Sequence, residues 1–152
     1  IEDSFLSGEF APFRMNKYPS FNGFDNVKVM RLAEIYLNYA EALLRGGGGD
    51  MNLAVTKINE LRTRAYGGTS GNINSGDLTL DFILDERSRE LYWEGQRRTD
   101  LIRYNYFTTS DYLWPFKANQ PGGTSSSAFR NIFPIPTTSI STNPNLQQNQ
   151  GY

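Results

Sequence analysis

Polar side chains at Arg31, Glu34, Asn38, Glu41 and Arg45 step by 3, 4, 3 and 4, which draws one stripe along a helix over 29–45. Leu32, Ile35, Tyr36, Tyr39 and Leu43 fall on the other side, which is expected to face the core. Glu41 and Arg45 stand four apart in the favourable order, a pairing worth roughly 0.2–0.5 kcal/mol. Gly46-Gly47-Gly48-Gly49 must end this helix, because four glycines lose too much backbone entropy to remain helical. Asp50 or Asn52 can cap a second helix over 52–66, whose apolar positions Ala54, Ile58, Leu61 and Ala65 step by 4, 3 and 4. The pair reads as an αα-hairpin. After a polar loop at 69–76, Thr79 can cap a third helix over 80–94, with Leu80, Ile83, Leu84 and Leu91 as its apolar positions. Gly95 marks its end or a close helix contact, and a short helix is expected near 98–106.

The remaining chain has no sustained period. Residues 1–25 form an irregular lead-in, 26–106 the helical region, and 107–152 a loop-rich tail carrying Pro115, Pro121, Pro134, Pro136 and Pro144. Tyr112, Leu113, Trp114, Phe116, Phe129, Ile132, Phe133 and Ile135 in that tail need something to pack against, so it is expected to be ordered. Val29, Leu32, Ala33 and Tyr36, followed by Ala54, Ile58 and Leu61, have the spacing of a tetratricopeptide helix pair. The stretch between Tyr36 and Ala54 is longer than that repeat allows, and no second copy follows at its period. These patterns predict an all-α fold of tetratricopeptide-like hairpins with long irregular, Pro-rich loops.

Composition narrows the chemistry. The 152 residues contain no His and no Cys, which removes disulfides, thiolate nucleophiles, imidazole bases and Ser-His-Asp or Cys-His arrangements. A net charge of −1 gives no broad attraction to nucleic acid or to an anionic membrane surface. Arg31, Glu34, Asn38 and Glu41 interrupt the most apolar stretch, so it cannot span a membrane as a helix. Ile1-Glu2-Asp3-Ser4 has neither an initiating Met nor the basic and apolar start of a secretion signal, which suggests a portion of a longer protein.

Carboxylates remain available, with Asp81, Asp85, Glu86, Glu90 and Glu94 densest. Glu86, Glu90 and Glu94 recur every four residues and would line one face. A dimetal site would ordinarily take His from a Glu-x-x-His pattern, which the chain lacks. Arg87, Arg89, Arg97 and Arg98 stand three or four residues from these glutamates. Glu86, Arg87, Glu90, Glu94, Arg97, Arg98 and Asp100 are therefore expected to form a structural ion-pair network. If Arg97 belongs to a buried pair, Arg97→Ala should cost about 3–5 kcal/mol. Gly46–Gly49 precedes Asp50 rather than Lys-Ser/Thr, and Gly122-Gly123-Thr124 lacks a strand before it, so neither glycine run is a phosphate loop. Tyr112, Trp114 and Phe116, beside Asn119 and Gln120, are candidate ligand contacts, because sugar rings stack on aromatic faces and their hydroxyls bond amides. The competing role for Trp114 is an anchor mostly buried against the helices.

Arg31-Leu32-Ala33-Glu34-Ile35-Tyr36-Leu37-Asn38-Tyr39-Ala40-Glu41-Ala42 resembles the C-terminal region of the SusD/RagB-like family. So do Ile83-Leu84-Asp85-Glu86-Arg87-Ser88-Arg89-Glu90-Leu91 and its continuation from Glu94 to Arg103. A third block runs from Phe133-Pro134-Ile135-Pro136 through Asn143-Pro144-Asn145-Leu146-Gln147-Gln148-Asn149 to Gly151-Tyr152, with Gln150 where a proline is more usual. The resemblance implies a cell-surface lipoprotein of the Bacteroidetes outer membrane. It would bind oligosaccharide without enzymatic activity or a cofactor and pass it to a SusC-like TonB-dependent transporter. Membrane attachment would run through a lipidated N-terminus that this chain does not contain. The resemblance further implies that Glu94, Arg97 and Asp100 dock helices, that the Asn-Pro segment is a packed tail, and that most ligand contacts lie upstream. On the residues alone, a peptide-binding adaptor and a carboxylate-based glycoside hydrolase remain open alternatives.

Overall fold

The glycine run closes the first helix in a Schellman turn. Gly46, at φ +89°, donates to Leu43, and Gly47 donates to Ala42, satisfying carbonyls that the helix leaves free. A computed structural model describes Lys17 and residues 29–152, so the expected lead-in at 1–25 lies, apart from Lys17, outside the described residues. The helices are α1 (Leu32–Leu44), α2 (Met51–Tyr66), α3 (Leu80–Glu90), α4 (Arg97–Arg103) and α5 (Thr137–Thr142), joined by short 3₁₀ turns, with no strand among the described residues. The fold is all-α, as the periodicity predicts. Asp50 caps α2 by accepting from the Asn52 N–H at 2.8 Å, and Gly67 ends it at φ +66°. Thr79 caps α3 through the Phe82 N–H at 3.1 Å.

α1 packs against α2 and α3, and α3 against α4. Ala33, Leu37 and Ala40 of α1 meet Ala54, Ile58 and Leu61 of α2, with Leu78, Ile83 and Leu91 completing the core. Alanines on both helices let the backbones approach closely. Asn59 pins the α2–α3 loop by pairing its amide with both the N–H and the carbonyl of Ile73, at 2.8 and 2.9 Å.

The expected facing of α1 holds in part: Tyr36, Tyr39 and Leu43 pack against the core, but other positions of the two stripes depart from it. Leu32 is 63% exposed and Ile35 is also exposed, whereas Glu41 is buried. The polar stripe faces α3 and α4. Arg31 Nη1 meets Glu90 Oε1 at 2.5 Å and Arg31 Nε meets Glu94 Oε2 at 2.7 Å. Asn38 Oδ1 accepts from Arg87 Nη1 at 2.6 Å, and Glu41 takes both Nε and Nη2 of Arg103 at 2.8 and 2.7 Å. Periodicity locates a stripe but not its partner, and here guanidinium groups make Glu41 fit to bury.

α3 also ends sooner than its pattern predicts. Lys17 Nζ and Arg31 Nη2 both donate to the Glu90 carbonyl, capping the helix with positive charge. The chain then turns through Gly95 at φ +76° into α4.

The tail is fastened to itself and to α4. Gln148 pairs with both the N–H and the carbonyl of Ile135 at 2.8 and 2.9 Å, Asn149 Nδ2 donates to Phe133 O at 2.7 Å, and the Tyr152 hydroxyl donates to Ile132 O at 2.8 Å. Arg98 donates to the carbonyls of Arg130 and Asn131 and lies 3.8 Å from the Phe133 ring centroid. Phe133 and Ile132 nevertheless remain exposed, contrary to the packing expected of them.

At the centre of the α3–α4 contact, Arg87 Nε lies 2.9 Å from Asp100 Oδ2, and each side chain is 2% exposed. The N–H is misaligned for a hydrogen bond, so the attraction is chiefly Coulombic. Asp100→Ala, which strips Arg87 of this counterion, is expected to lower stability by about 3–5 kcal/mol in urea unfolding. Replacing Arg87 and Asp100 together by Met and Leu should cost far less. A loss below about half a kcal/mol for Asp100→Ala would mean that the pair is solvated.

Candidate functional site

Five carboxylates among the described residues are withdrawn from water, and each meets at least two cations. Glu41 takes Arg45 and Arg103; Glu86 takes Arg62 and Arg89; Glu90 takes Arg31 and Arg64. Glu94 takes Lys17 and Arg31, and Asp100 takes Arg87 and Arg103. Burial alone would push the Glu94 carboxyl up, but hydrogen bonds from Arg31 and Lys17 outweigh it and hold the group at about 2. Burial likewise opposes ionisation of Glu41, and Arg103 and Arg45 reverse it, leaving the carboxyl below its usual range. Burial and the nearby Glu41 carboxylate push the Tyr104 phenol up to about 12.

Within the sequence-predicted network, Glu86, Arg87, Glu90, Glu94 and Asp100 enter ion pairs. Arg97 and Arg98 do not. Arg97 donates to Leu84 O at 3.0 Å and to the Tyr112 hydroxyl at 2.6 Å, while Arg98 holds tail carbonyls. The cost assigned to a buried ion pair at Arg97 therefore belongs to Arg87 and Asp100. Arg62, Arg64 and Arg103 were missed as cross-chain partners, because pairs separated by 24 to 62 positions leave no local spacing to read.

The aromatic candidates sit on a loop organised by Lys117. Its ammonium is buried and donates to three carbonyls, Tyr106 at 2.9 Å, Thr109 at 2.5 Å and Tyr112 at 2.7 Å, which uses all three N–H bonds. Burial lowers its pKa, opposed by the Asp111 carboxylate. The Tyr112 ring stacks on Tyr106 at 5.5 Å and 11° and lies 6.5 Å from Trp114. Lys117 Nζ stands 4.6 Å from the Trp114 ring centroid. Trp114 is largely withdrawn from solvent, between Tyr112 and Lys117. Phe116 stands apart from these rings, 70% exposed at φ +64°. Gly123 closes the loop at φ +77°, where a Cβ would lie 2.5 Å from the Trp114 carbonyl oxygen. Beside the Tyr pair, a hollow of about 250 Å³ is lined by Asp81, Asp85 and Asp111. The Tyr106 hydroxyl lies 3.2 Å from Asp81 Oδ1 and the Tyr112 hydroxyl 3.4 Å from Asp85 Oδ1.

A second aromatic feature, absent from the sequence expectations, occupies the α3–α4 turn. Trp93 adopts φ +66° and is 73% exposed, and Tyr92 beside it is also exposed. Reading α3 through residue 94 placed Trp93 within a helix; the early end of α3 turns it outward. A hollow of about 380 Å³ lies alongside, lined by both rings together with Ser88, Gln96, Arg97 and Arg98.

A model of the SusD family matches residues 15–152. The chain belongs to the SusD family. It is 42% identical over 127 residues to the starch-binding protein SusD of Bacteroides thetaiotaomicron, covering 84% of this chain and 22% of that protein. SusD-like protein P25 of Formosa agariphila is 33% identical, with 88% and 26% covered. Among solved structures, a SusD superfamily protein from Bacteroides thetaiotaomicron aligns at TM-score 0.63 and 36% identity, over 84% of this chain and 29% of that one. Surface glycan-binding protein A from Bacteroides uniformis aligns at TM-score 0.62 and 33% identity, over 82% and 28%. The chain thus spans about a quarter of the length of the relatives it matches.

Two predictions concern the cationic clamps of this SusD-family chain. A carboxyl held at about 2 contributes stability that is complete above its unfolded pKa near 4.5 and lost as pH falls towards 2. Glu94→Gln should therefore cost up to about 3 kcal/mol in urea unfolding at pH 7 and almost nothing near pH 2. A pH-independent difference would show that the charge of Glu94 is not what matters. Lys117→Met should leave helical circular dichroism unchanged but red-shift Trp114 emission in a Trp93→Phe background and speed proteolysis within 106–124. An unchanged emission maximum would mean that the loop stands without its ammonium.

Proposed function

We propose that this chain is part of a non-enzymatic, cell-surface glycan-binding protein that captures oligosaccharide. It delivers that ligand to a SusC-like TonB-dependent transporter at the outer membrane. The observation that supports this reading most directly is 42% identity over most of the chain to a starch-binding protein. The structural likeness to a surface glycan-binding protein points the same way.

The five clamped carboxylates are poorly suited to catalysis. A glycosidase needs one carboxyl kept protonated near neutrality by a raised pKa, across from a second that stays ionised. Glu41 and Glu94 are displaced in the opposite direction, and Glu86, Glu90 and Asp100 are engaged by guanidinium groups. The loop bearing Tyr112, Trp114 and Phe116 offers rings for sugar faces, with Asn119 and Gln120 nearby to take hydroxyls. Among the described residues no helix is long and apolar enough to cross a membrane.

Isothermal titration against maltohexaose, cellohexaose and xylohexaose tests the reading. The longer parent protein should bind at least one of them, and this chain alone much more weakly, because a sugar site loses affinity steeply when its platforms are divided. Neither should release reducing sugar. Turnover abolished by a single Glu→Gln or Asp→Asn change would restore the hydrolase alternative, and a parent that binds no glycan would end the binding reading.

A further inference from the structure

We infer that the α3–α4 turn forms a separate saccharide subsite, with Trp93 as its stacking platform and the hollow beside it receiving the sugar hydroxyls. Bulky residues seldom adopt a left-handed backbone, and Trp93 does so while leaving its ring in solvent. The turn does not drift into that conformation. Lys17 Nζ donates to the carbonyls of Glu90 and Tyr92, Arg31 Nη2 donates to the Glu90 carbonyl, and both cations hold the Glu94 carboxylate. The clamp grips the inner side of the turn and leaves the Tyr92 and Trp93 rings on its outer side.

The polar groups around the hollow separate this place from the other aromatic cluster. Beside Tyr106 and Tyr112, both hydroxyls already face carboxylates and Arg97 is bonded to Tyr112. At Trp93 the Ser88 hydroxyl, the Gln96 amide and the Tyr92 hydroxyl make no side-chain hydrogen bond among the described residues. The charged residues that also line the hollow, Arg87, Asp100, Arg97 and Arg98, are engaged within the chain, which leaves an indole face, an amide and two hydroxyls, a set that suits a neutral pyranose. Its C–H face stacks on the ring while its hydroxyls find both donors and acceptors. The hollow, about 380 Å³, has room for a sugar residue. This assignment rests on the glycan-binding reading and adds a site to it.

The chain has two tryptophans, Trp93 and Trp114, so 5-fluorotryptophan labelling yields one ¹⁹F resonance from each platform. Trp93→Gly removes the ring and suits the left-handed backbone, so the turn should survive, and it assigns the two lines. Maltohexaose, cellohexaose and xylohexaose are titrated into the labelled chain and into the variant, with circular dichroism confirming the fold of each. The expected result is a saturable shift of the Trp93 line with at least one probe, and about tenfold weaker binding in Trp93→Gly. A shift confined to the Trp114 line, or affinity unchanged in Trp93→Gly, overturns the subsite while glycan binding stands. No shift of either line with any probe, together with no binding by the longer parent, overturns both.

Discussion

The arrangement of helices depends on a seam of buried charge between α1, α3 and α4. Apolar contacts in this chain concentrate between α1 and α2, where alanines face one another, and on the α3 side they give way to carboxylates and guanidinium groups. Buried ion pairs add little net stability, because desolvation offsets most of the Coulombic gain. Their effect is on geometry. Once Arg87, Asp100 and Glu41 leave water, any other register of the helices strands a buried charge, at a cost of about 3–5 kcal/mol. Supplying at least two cations to each of the five buried carboxylates keeps the desolvated oxygens satisfied. It also links neighbouring pairs through shared residues, Arg31 between Glu90 and Glu94 and Arg103 between Glu41 and Asp100.

The same logic governs the loop-rich tail, which has no sheet to absorb its backbone polar groups. Side chains take over that task. Gln148 mimics a neighbouring strand towards Ile135, Arg98 collects the Arg130 and Asn131 carbonyls, and Lys117 collects three more. The Phe133-Pro134-Ile135-Pro136 and Gln147-Gln148-Asn149 blocks that carry part of the family resemblance are thus the two halves of one hydrogen-bonded tail. Prolines lack the N–H that would otherwise need a partner, which is why such a segment can rest on few contacts.

Helices and caps were legible in the sequence because both are local. Steps of 3 and 4, the Asp50 and Thr79 caps and the glycine run after α1 all act within a few residues. The facing of α1 was legible only in part, at Tyr36, Tyr39 and Leu43. Amphipathic reasoning assigns the apolar stripe to the core, yet Leu32 and Ile35 are exposed and Glu41 is buried, because the neighbour across the seam is itself charged. The end of α3 was hidden for a related reason. What stops it is Arg31 and Lys17 reaching Glu90 from 59 and 73 positions away, and nothing between residues 80 and 94 records that. The Tyr112–Trp114 cluster could be guessed from proximity in sequence, whereas Trp93 became visible only with the break in the helix.

One device recurs at both displayed aromatics. Holding a non-glycine residue in the left-handed region costs on the order of 1–3 kcal/mol, so such a residue persists only where its surroundings leave no alternative. At Phe116 the constraint is the Lys117 ammonium drawing three carbonyls inward; at Trp93 it is Lys17 and Arg31 drawing in Glu90, with Lys17 also reaching Tyr92. A cation that gathers carbonyls on one side of a turn leaves the other side to the neighbouring side chains. Buried charge and exposed aromatic rings are therefore two sides of the same turns. Neutralising the cation should release the ring even where every helix stays in place.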